Sequence, residues 1–317
     1  MDPRAFRADL ELIPATLNAM ADAVAADLVR WPVDSPPRRI LLIGMGSSWY
    51  AASIVAHRLR VAGLDAVAEP ASAELTWPPS PDLLVVAVSA TGASTETMSA
   101  IEPHLGVSRV VALTNTERSP LGVRADHLVD MRAGKETGGV ACRSYRHTLA
   151  ALLVLEAQLT GTLEIAPVLK HAATATAHLL DTVDRWRPAV MAALDSPDGV
   201  WMLAPFERLS SALQGALMVR EGPRRRADGC ETGDWSHVDV YLAKTLDYRA
   251  LVFAGSRFDA AAAEWLILRG STVVSVGGSF PGAQLEVRHP HDDDPLVALL
   301  TEVLIAELVA EAWWLES

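Results

Sequence analysis

Two segments of this chain gather small and hydroxyl-bearing residues where a short apolar run gives way to a helical pattern. They are Gly44-Met45-Gly46-Ser47-Ser48 and Ser89-Ala90-Thr91-Gly92-Ala93-Ser94-Thr95. A turn of this kind at a helix start offers backbone N–H groups, hydroxyl donors and the positive end of the helix dipole, which together suit an anion. The hydroxyls of Ser48, Ser89, Thr91 and Ser94 are more than capping requires, although Ser94 or Thr95 also fits an N-cap and the glycines fit turns. A dinucleotide fingerprint fails on residues, since Trp49 stands where a third small residue belongs, and no Walker lysine follows. The ligand suggested is a monophosphate held by hydroxyls and amides, with no metal.

A second pair has acid–base character. Glu221 ends an apolar-striped stretch that Gly222-Pro223 stops, and His237 follows sixteen residues later. A carboxylate at a helix C-terminus opposes the dipole and so needs another reason to be there. Histidine titrates near neutrality. A solvated helix-end glutamate and a loop histidine remain the plainer reading of the pair.

The elements that must position these residues alternate in type. One helix is expected from Pro3 to Trp31, with Leu10, Ile13, Leu17, Met20, Val24 and Leu28 along one stripe. Strands follow at Ile40–Ile43, near Ala66–Ala68, at Leu83–Val88, at Val110–Leu113 and at Leu128–Asp130. Between and after them helices are expected over Tyr50–Ala62, Ser94–Leu105 and Ser144–Leu159. One or two helices cross from Ile165 to about Leu194, and the theme then restarts. Val200–Leu203, Tyr248–Phe253 and Thr272–Val276 read as strands, and Glu207–Glu221, Asp259–Leu268 and Leu296–Trp314 as helices. Continuous apolar strands separated by helices point to parallel sheets covered on both faces, in an α/β fold with two halves in tandem.

Composition narrows the partners. With 27 Lys+Arg against 39 Asp+Glu the net charge is −12, which disfavours a general nucleic-acid surface. Cys142 and Cys230 are far apart and match no zinc-ligand spacing. No apolar run is long enough to span a membrane, and the N-terminus lacks a signal-peptide core, so a soluble cytoplasmic protein is expected. The only lysines are Lys135, Lys170 and Lys244, which leaves few candidates for Schiff-base chemistry.

On these residues the chain resembles the SIS (sugar isomerase) family, in particular the isomerase half of glutamine–fructose-6-phosphate aminotransferases and the amino-sugar-phosphate deaminases. Gly46-Ser47-Ser48-Trp49 stands where that family has Gly-Thr-Ser-Tyr, and Ser89-Ala90-Thr91-Gly92-Ala93-Ser94 where it has Ser-Gln-Ser-Gly-Glu-Thr. Ala112-Leu113-Thr114-Asn115 and Ala133-Gly134-Lys135-Glu136-Thr137-Gly138 look like its next two segments. Glu221 and His237 keep its sixteen-residue spacing, with Gly233 and Asp234 in place. The resemblance implies tandem SIS domains, each a five-stranded parallel sheet flanked by helices in three αβα layers. They are expected at 33–162 (phosphate loops) and 195–317 (Glu/His segment), with an N-terminal helix over 1–32 and connecting helices over 163–194.

By resemblance, Ser48, Ser89, Thr91, Ser94, Gly46 and Gly92 hold the substrate phosphate, while Ser47, Ala90 and Glu136 are candidate sugar contacts. Glu221 is implied as the base that moves a proton between C1 and C2, after His237 assists ring opening. The family is usually dimeric, with this histidine reaching the neighbouring subunit's site, so a homodimer is expected. No metal or organic cofactor is implied.

Several departures limit the analogy. Ala90 and Ala93 replace a glutamine and a glutamate, and Cys142-Arg143-Ser144 stands where Ser-Thr-Lys is usual, which leaves the role of Arg143 open. Arg224-Arg225-Arg226 either binds an extra anionic group or forms a solvated face. The second half is expected to lack a phosphate site of its own, since Ala204-Pro205-Phe206-Glu207 replaces a glycine-rich turn. Read from Trp313-Trp314-Leu315-Glu316-Ser317 at its end and from its first residues, the chain is expected to act without the family's tail lysine and without a glutaminase domain. The expectation is therefore an isomerase or deaminase, or an aminating enzyme given ammonia by a separate partner. A non-catalytic, phosphosugar-binding regulatory protein is the alternative.

Overall fold

The computed structural model describes every residue except Asp34. The chain forms two compact units, one made of 15–136 and 141–170, the other of 1–14, 137–140 and 171–317.

The first unit is built on five parallel strands: β1 (Arg39–Gly44), β2 (Asp65–Pro70), β3 (Leu83–Val88), β4 (Arg109–Thr114) and β5 (His127–Asp130). Their order is β2-β1-β3-β4-β5. All six residues of β3 are buried. Leu83, Val85 and Ala87 pack with Leu41, Val110, Ile101 and Leu121 on one face of the sheet, so the alternate residues serve the other face. Burial on both faces is why these strands read as unbroken apolar runs. The helices of this unit are α2 (Ile13–Ala25), α3 (Ser47–Val61), α4 (Thr95–Ile101), α5 (Pro120–Arg124) and α6 (Arg143–Thr160); α1 (Pro3–Glu11) belongs to the second unit. A two-pronged ion pair from Arg58 to the buried Glu156, at 2.7 and 2.9 Å, ties α3 to α6.

The second unit repeats the plan with β6 (Val200–Ala204), β7 (Ala227–Glu231), β8 (Arg249–Phe253), β9 (Thr272–Val276) and β10 (Leu285–Val287), ordered β10-β9-β8-β6-β7. Numbered from its own first strand, this is the same 2-1-3-4-5 order. Its helices include α8 (Val183–Leu194), α9 (Leu209–Glu221), α10 (Thr232–Trp235), α11 (Asp259–Leu268), α12 (Pro295–Thr301) and α13 (Val303–Glu316). Another helix, α7 (Ile165–Asp181), runs from the residues of one unit into those of the other.

The single N-terminal helix expected over Pro3–Trp31 is corrected to two. The break at Leu12 has a cause in Pro14, which lacks the N–H that would continue the ladder. The second helix stops at Ala25, Asp27 takes a left-handed backbone (φ 55), and Leu28 is exposed, off the apolar stripe. The last helix is likewise two, α12 and α13, meeting at the buried Glu302. β7 was not expected: Ala-Asp-Gly-Cys-Glu has no apolar run because it is a half-exposed edge strand. Among the described residues, no helix is long and apolar enough to cross a membrane, and no group of His, Cys, Asp and Glu is arranged to hold a metal ion.

His147 on α6 carries a pH-dependent share of stability. It is fully buried, its Nδ1–H donates to the Met131 carbonyl at 3.0 Å, and burial pulls its pKa down to about 4. The unfolded chain takes up this proton near the ordinary 6.5. The neutral ring therefore stabilises the fold above that value, and the contribution is lost as pH falls toward 4. The difference is on the order of 3 kcal/mol. Urea midpoints measured from neutral to mildly acidic pH are expected to fall, with a shallower slope in His147→Gln. Equal slopes would remove His147 as the cause.

Candidate functional site

In a 2-1-3-4-5 sheet the chain reverses direction between the first and third strands, and the crevice for a ligand lies at their carboxyl ends. Both hydroxyl loops sit there in the first unit, one leaving β1 and the other leaving the neighbouring β3. In the first loop, Gly46 adopts φ 51 and ψ −124, which an L side chain resists, and α3 then starts with no side chain capping it. Ser48 N–H donates to the Met45 carbonyl at 3.1 Å, so the N–H groups of Ser47 and Trp49, with the half-buried side chains of Ser47 and Ser48, are left to meet a ligand.

The second loop is held in shape by its own hydroxyls. Ser89, only 6% exposed, accepts from Gly92 N–H at 3.1 Å, and Thr91 accepts from Ala93 N–H at 3.3 Å. Ser94 is indeed the N-cap of α4, accepting from Thr97 N–H at 3.3 Å and donating to Glu96 at 2.9 Å. Ser89 and Thr91 keep their own O–H groups for donation outward. Ala90 presents a methyl group, while its carbonyl accepts from Thr114 Oγ1 and Asn115 N–H. A cavity of about 490 Å³ lies between the end of β2 and the start of α4, bordered by Glu69, Glu74, Thr95, Glu96 and Ser99.

Gly92 cannot be replaced. Its φ is 63, and a Cβ there would lie 2.1 Å from Ser119 Oγ and 2.9 Å from Thr114 Oγ1. Gly92→Ala is expected to cost roughly 2–4 kcal/mol through strain and overlap combined, read as a lowered melting temperature. An unchanged melting temperature would mean the loop rearranges freely.

The following segment also has structural work. Glu136 Oε1 accepts from the N–H groups of Cys142 and Arg143, both at 2.7 Å, and of Ser144 at 3.2 Å, a carboxylate set on the positive end of α6. Arg143, buried, donates to the carbonyls of Ala133 at 2.9 Å and Lys135 at 2.6 Å. With Asn115, which accepts from Ala133 N–H at 3.0 Å and donates to the Gly134 carbonyl, it fixes the 133–135 loop.

In the second unit, Glu221 closes α9. It is half-buried, its carboxylate has no hydrogen-bond partner among the described residues, and burial raises its pKa against the opposing charge of Arg220. Gly222 beside it packs on the Trp314 ring, which in turn meets Phe6 of α1. The segment 137–140 rests on the same helix. Asp9, 2% exposed, accepts from the N–H groups of Thr137 and Gly138, each at 2.7 Å, and Gly138 lies against Phe6. Sequence reasoning missed Asp9, whose partners are 128 and 129 residues away.

His237 is not brought to Glu221. β6, α9 and β7 form a parallel crossover, so the end of α9 lies at the amino ends of the strands. The exposed His237 follows the carboxyl end of β7, with its own N–H donating to the Asp234 carbonyl. The five residues of β7, roughly 15 Å of strand, separate them.

The crevice of the second sheet, between β6 and β8, is closed by the chain itself. Asp259 accepts from the N–H groups of Gly255 at 2.6 Å and Ser256 at 3.1 Å, and Arg208 is engaged by the buried Glu302 and the Ala254 carbonyl.

The chain is 29% identical, over 219 residues, to a glutamine–fructose-6-phosphate aminotransferase of Gloeobacter violaceus; the match takes in 64% of this chain and 36% of that one. Its fold superposes on the C-terminal domain of the glucosamine-fructose-6-phosphate aminotransferase of Francisella tularensis with a TM-score of 0.83 at 16% identity, covering 98% and 96% of the two chains. It superposes on the glucosamine-6-phosphate deaminase of Thermotoga maritima with a TM-score of 0.76 at 18% identity, covering 98% and 94%. The chain thus spans about a third of the curated relative it matches, while the structural likeness extends over nearly all of it. The family model of the SIS domain matches residues 35–158, the stretch that carries β1 to β5 and both hydroxyl loops.

Proposed function

We infer that this protein binds an amino-sugar phosphate or ketose phosphate in its SIS domain and catalyses isomerisation or deamination. The phosphate is taken by the N–H groups that the 44–48 and 89–94 loops leave unengaged and by the hydroxyls of Ser47, Ser48, Ser89 and Thr91, while the Ser94 hydroxyl stays on Glu96. The observation that carries this reading is the placement of both loops at the one reversal point of the first sheet. Glu69, Glu74 and Glu96, which line a cavity at the start of α4, favour a substrate with a cationic amino group over a ketose phosphate without one.

Glu221 serves as the base. Moving one proton between C1 and C2 through an enediol or enolamine needs a single carboxylate that takes and returns it. An unpaired, half-buried carboxyl with a raised pKa suits that task. His237 assists ring opening from a second copy of the chain, since its own Glu221 lies at the other end of β7. Where the substrate carries nitrogen at C2, the proton transfer leaves an imine at C2, and water adds to that carbon and expels ammonia, giving the ketose phosphate.

The test is deuterium incorporation from heavy water into glucosamine 6-phosphate and fructose 6-phosphate, followed by NMR with ammonia assayed in the same tube. Exchange at C1 or C2 is the expected result, and ammonia separates deaminase from isomerase. A non-catalytic phosphosugar-binding role is favoured by one observation, the methyl groups of Ala90 and Ala93 in the second loop. Binding of both sugars without exchange would establish that role instead.

A further inference from the structure

The arginine run that follows Glu221 has a place of its own in the second unit. Arg224 takes a left-handed backbone (φ 57) at the turn into β7, after which Arg225 and Arg226 line a cavity of about 580 Å³. Leu194, Pro197, Val200 and Trp313 supply its apolar wall. The volume lies within the range of small-molecule sites. Two neighbouring groups hold Arg225 in position: Asp195, 2.6 Å away, and the face of the buried Trp313, whose ring centre is 4.5 Å from the guanidinium carbon. Stacking and pairing together order a side chain that otherwise loses much rotamer freedom on binding. Arg226, exposed, forms no ion pair among the described residues. A second cavity of about 570 Å³ shares Asp195 and Trp313 with the first and adds Met191 and Leu315.

We propose that this cavity is a binding site for a phosphate monoester with an apolar body, separate from the hydroxyl loops of the SIS domain. Arg225 and Arg226 both line the cavity; Arg225, preset and compensated by Asp195, supplies N–H donors, and Arg226 supplies the uncompensated positive charge for the acceptor oxygens of a phosphate. Leu194, Pro197 and Val200 give the ester group a dry surface. In a chain of net charge −12, a paired arginine site against tryptophan is a local reversal of sign that a solvated face does not require.

The test uses the full chain with 15N-labelled tryptophan, titrated with phenyl phosphate. The Trp313 indole resonance is identified by its loss in Trp313→Phe, and it reports this cavity rather than the hydroxyl loops. A saturable shift of that resonance is expected, with affinity about tenfold weaker in Arg226→Gln. Inorganic phosphate is expected to bind more weakly than phenyl phosphate. Arg226 is exposed and unpaired, so its replacement leaves the fold intact. An unshifted Trp313 resonance, equal affinity in Arg226→Gln, or equal affinity for inorganic phosphate would each overturn the proposal.

Discussion

Glu221→Gln is expected to lower proton exchange between C1 and C2 by roughly 10²- to 10⁴-fold while leaving the fold as stable as the parent or slightly more so. The two halves of that result have one cause. Burial disfavours the charged carboxylate, so its pKa is raised in the folded protein. A group with a raised folded pKa lowers stability as pH climbs above its ordinary value, and the uncharged amide of similar shape removes that penalty. The amide cannot accept a proton, so the chemistry stops. The pH profile carries the same signature. The base works only when ionised, and the acid limb of kcat/KM is expected above the ordinary carboxyl value of 4.5. Parent-level exchange in the variant would remove Glu221 from the mechanism. Lost exchange accompanied by a lower melting temperature would make its role structural.

The second large effect is recovery of activity by mixing two inactive proteins. Glu221 and His237 sit at opposite ends of β7, so a site that needs both must draw them from two chains. Glu221→Gln and His237→Ala are each expected to be nearly inactive. In a two-fold dimer formed from equal amounts of both after unfolding and refolding together, half the dimers are mixed. Each mixed dimer has one site with both intact residues, so recovery of about a quarter of parental activity is expected. Activity no higher than the sum of the separate variants would place the two residues in one chain's site or remove His237 from the reaction.

How much of this could be read from the residues depends on how local the cause was. The apolar strands β1, β3, β4, β6, β8 and β9 were legible because burial on both faces forces continuous hydrophobic runs. The hydroxyl loops were legible because glycine and serine cluster where strand passes into helix. β7 and β10 were hidden, one an edge strand with two acids and a glycine, the other three residues long. The N-terminal stripe concealed a break because Leu10, Ile13 and Leu17 keep their spacing across it, and only Pro14 betrays the interruption. Within the candidate site, Ser94 as a helix cap was readable from its position. The work of Glu136 on α6 and of Arg143 on the 133–135 loop was not, since both act through backbone groups that only the folded turn presents. Asp9 illustrates the limit: a carboxylate near the N-terminus fixes amides more than a hundred residues later, and no spacing rule connects them.

Asp259 has a consequence for how the two halves share their labour. Its carboxylate rests on the amides of Gly255 and Ser256, doing for its own loop what a bound anion does for an open one. A fold repeated within one chain need not repeat its duty. Once one copy's cradle is filled from inside, that copy is released from recognising a ligand there, and substitutions around its crevice are judged by folding alone. Its helix ends and outer loops then become material for other tasks. Sequence drift is therefore expected to run faster around 204–208 and 254–258 than around 44–48 and 89–94, although all four stretches occupy the same places in the same topology.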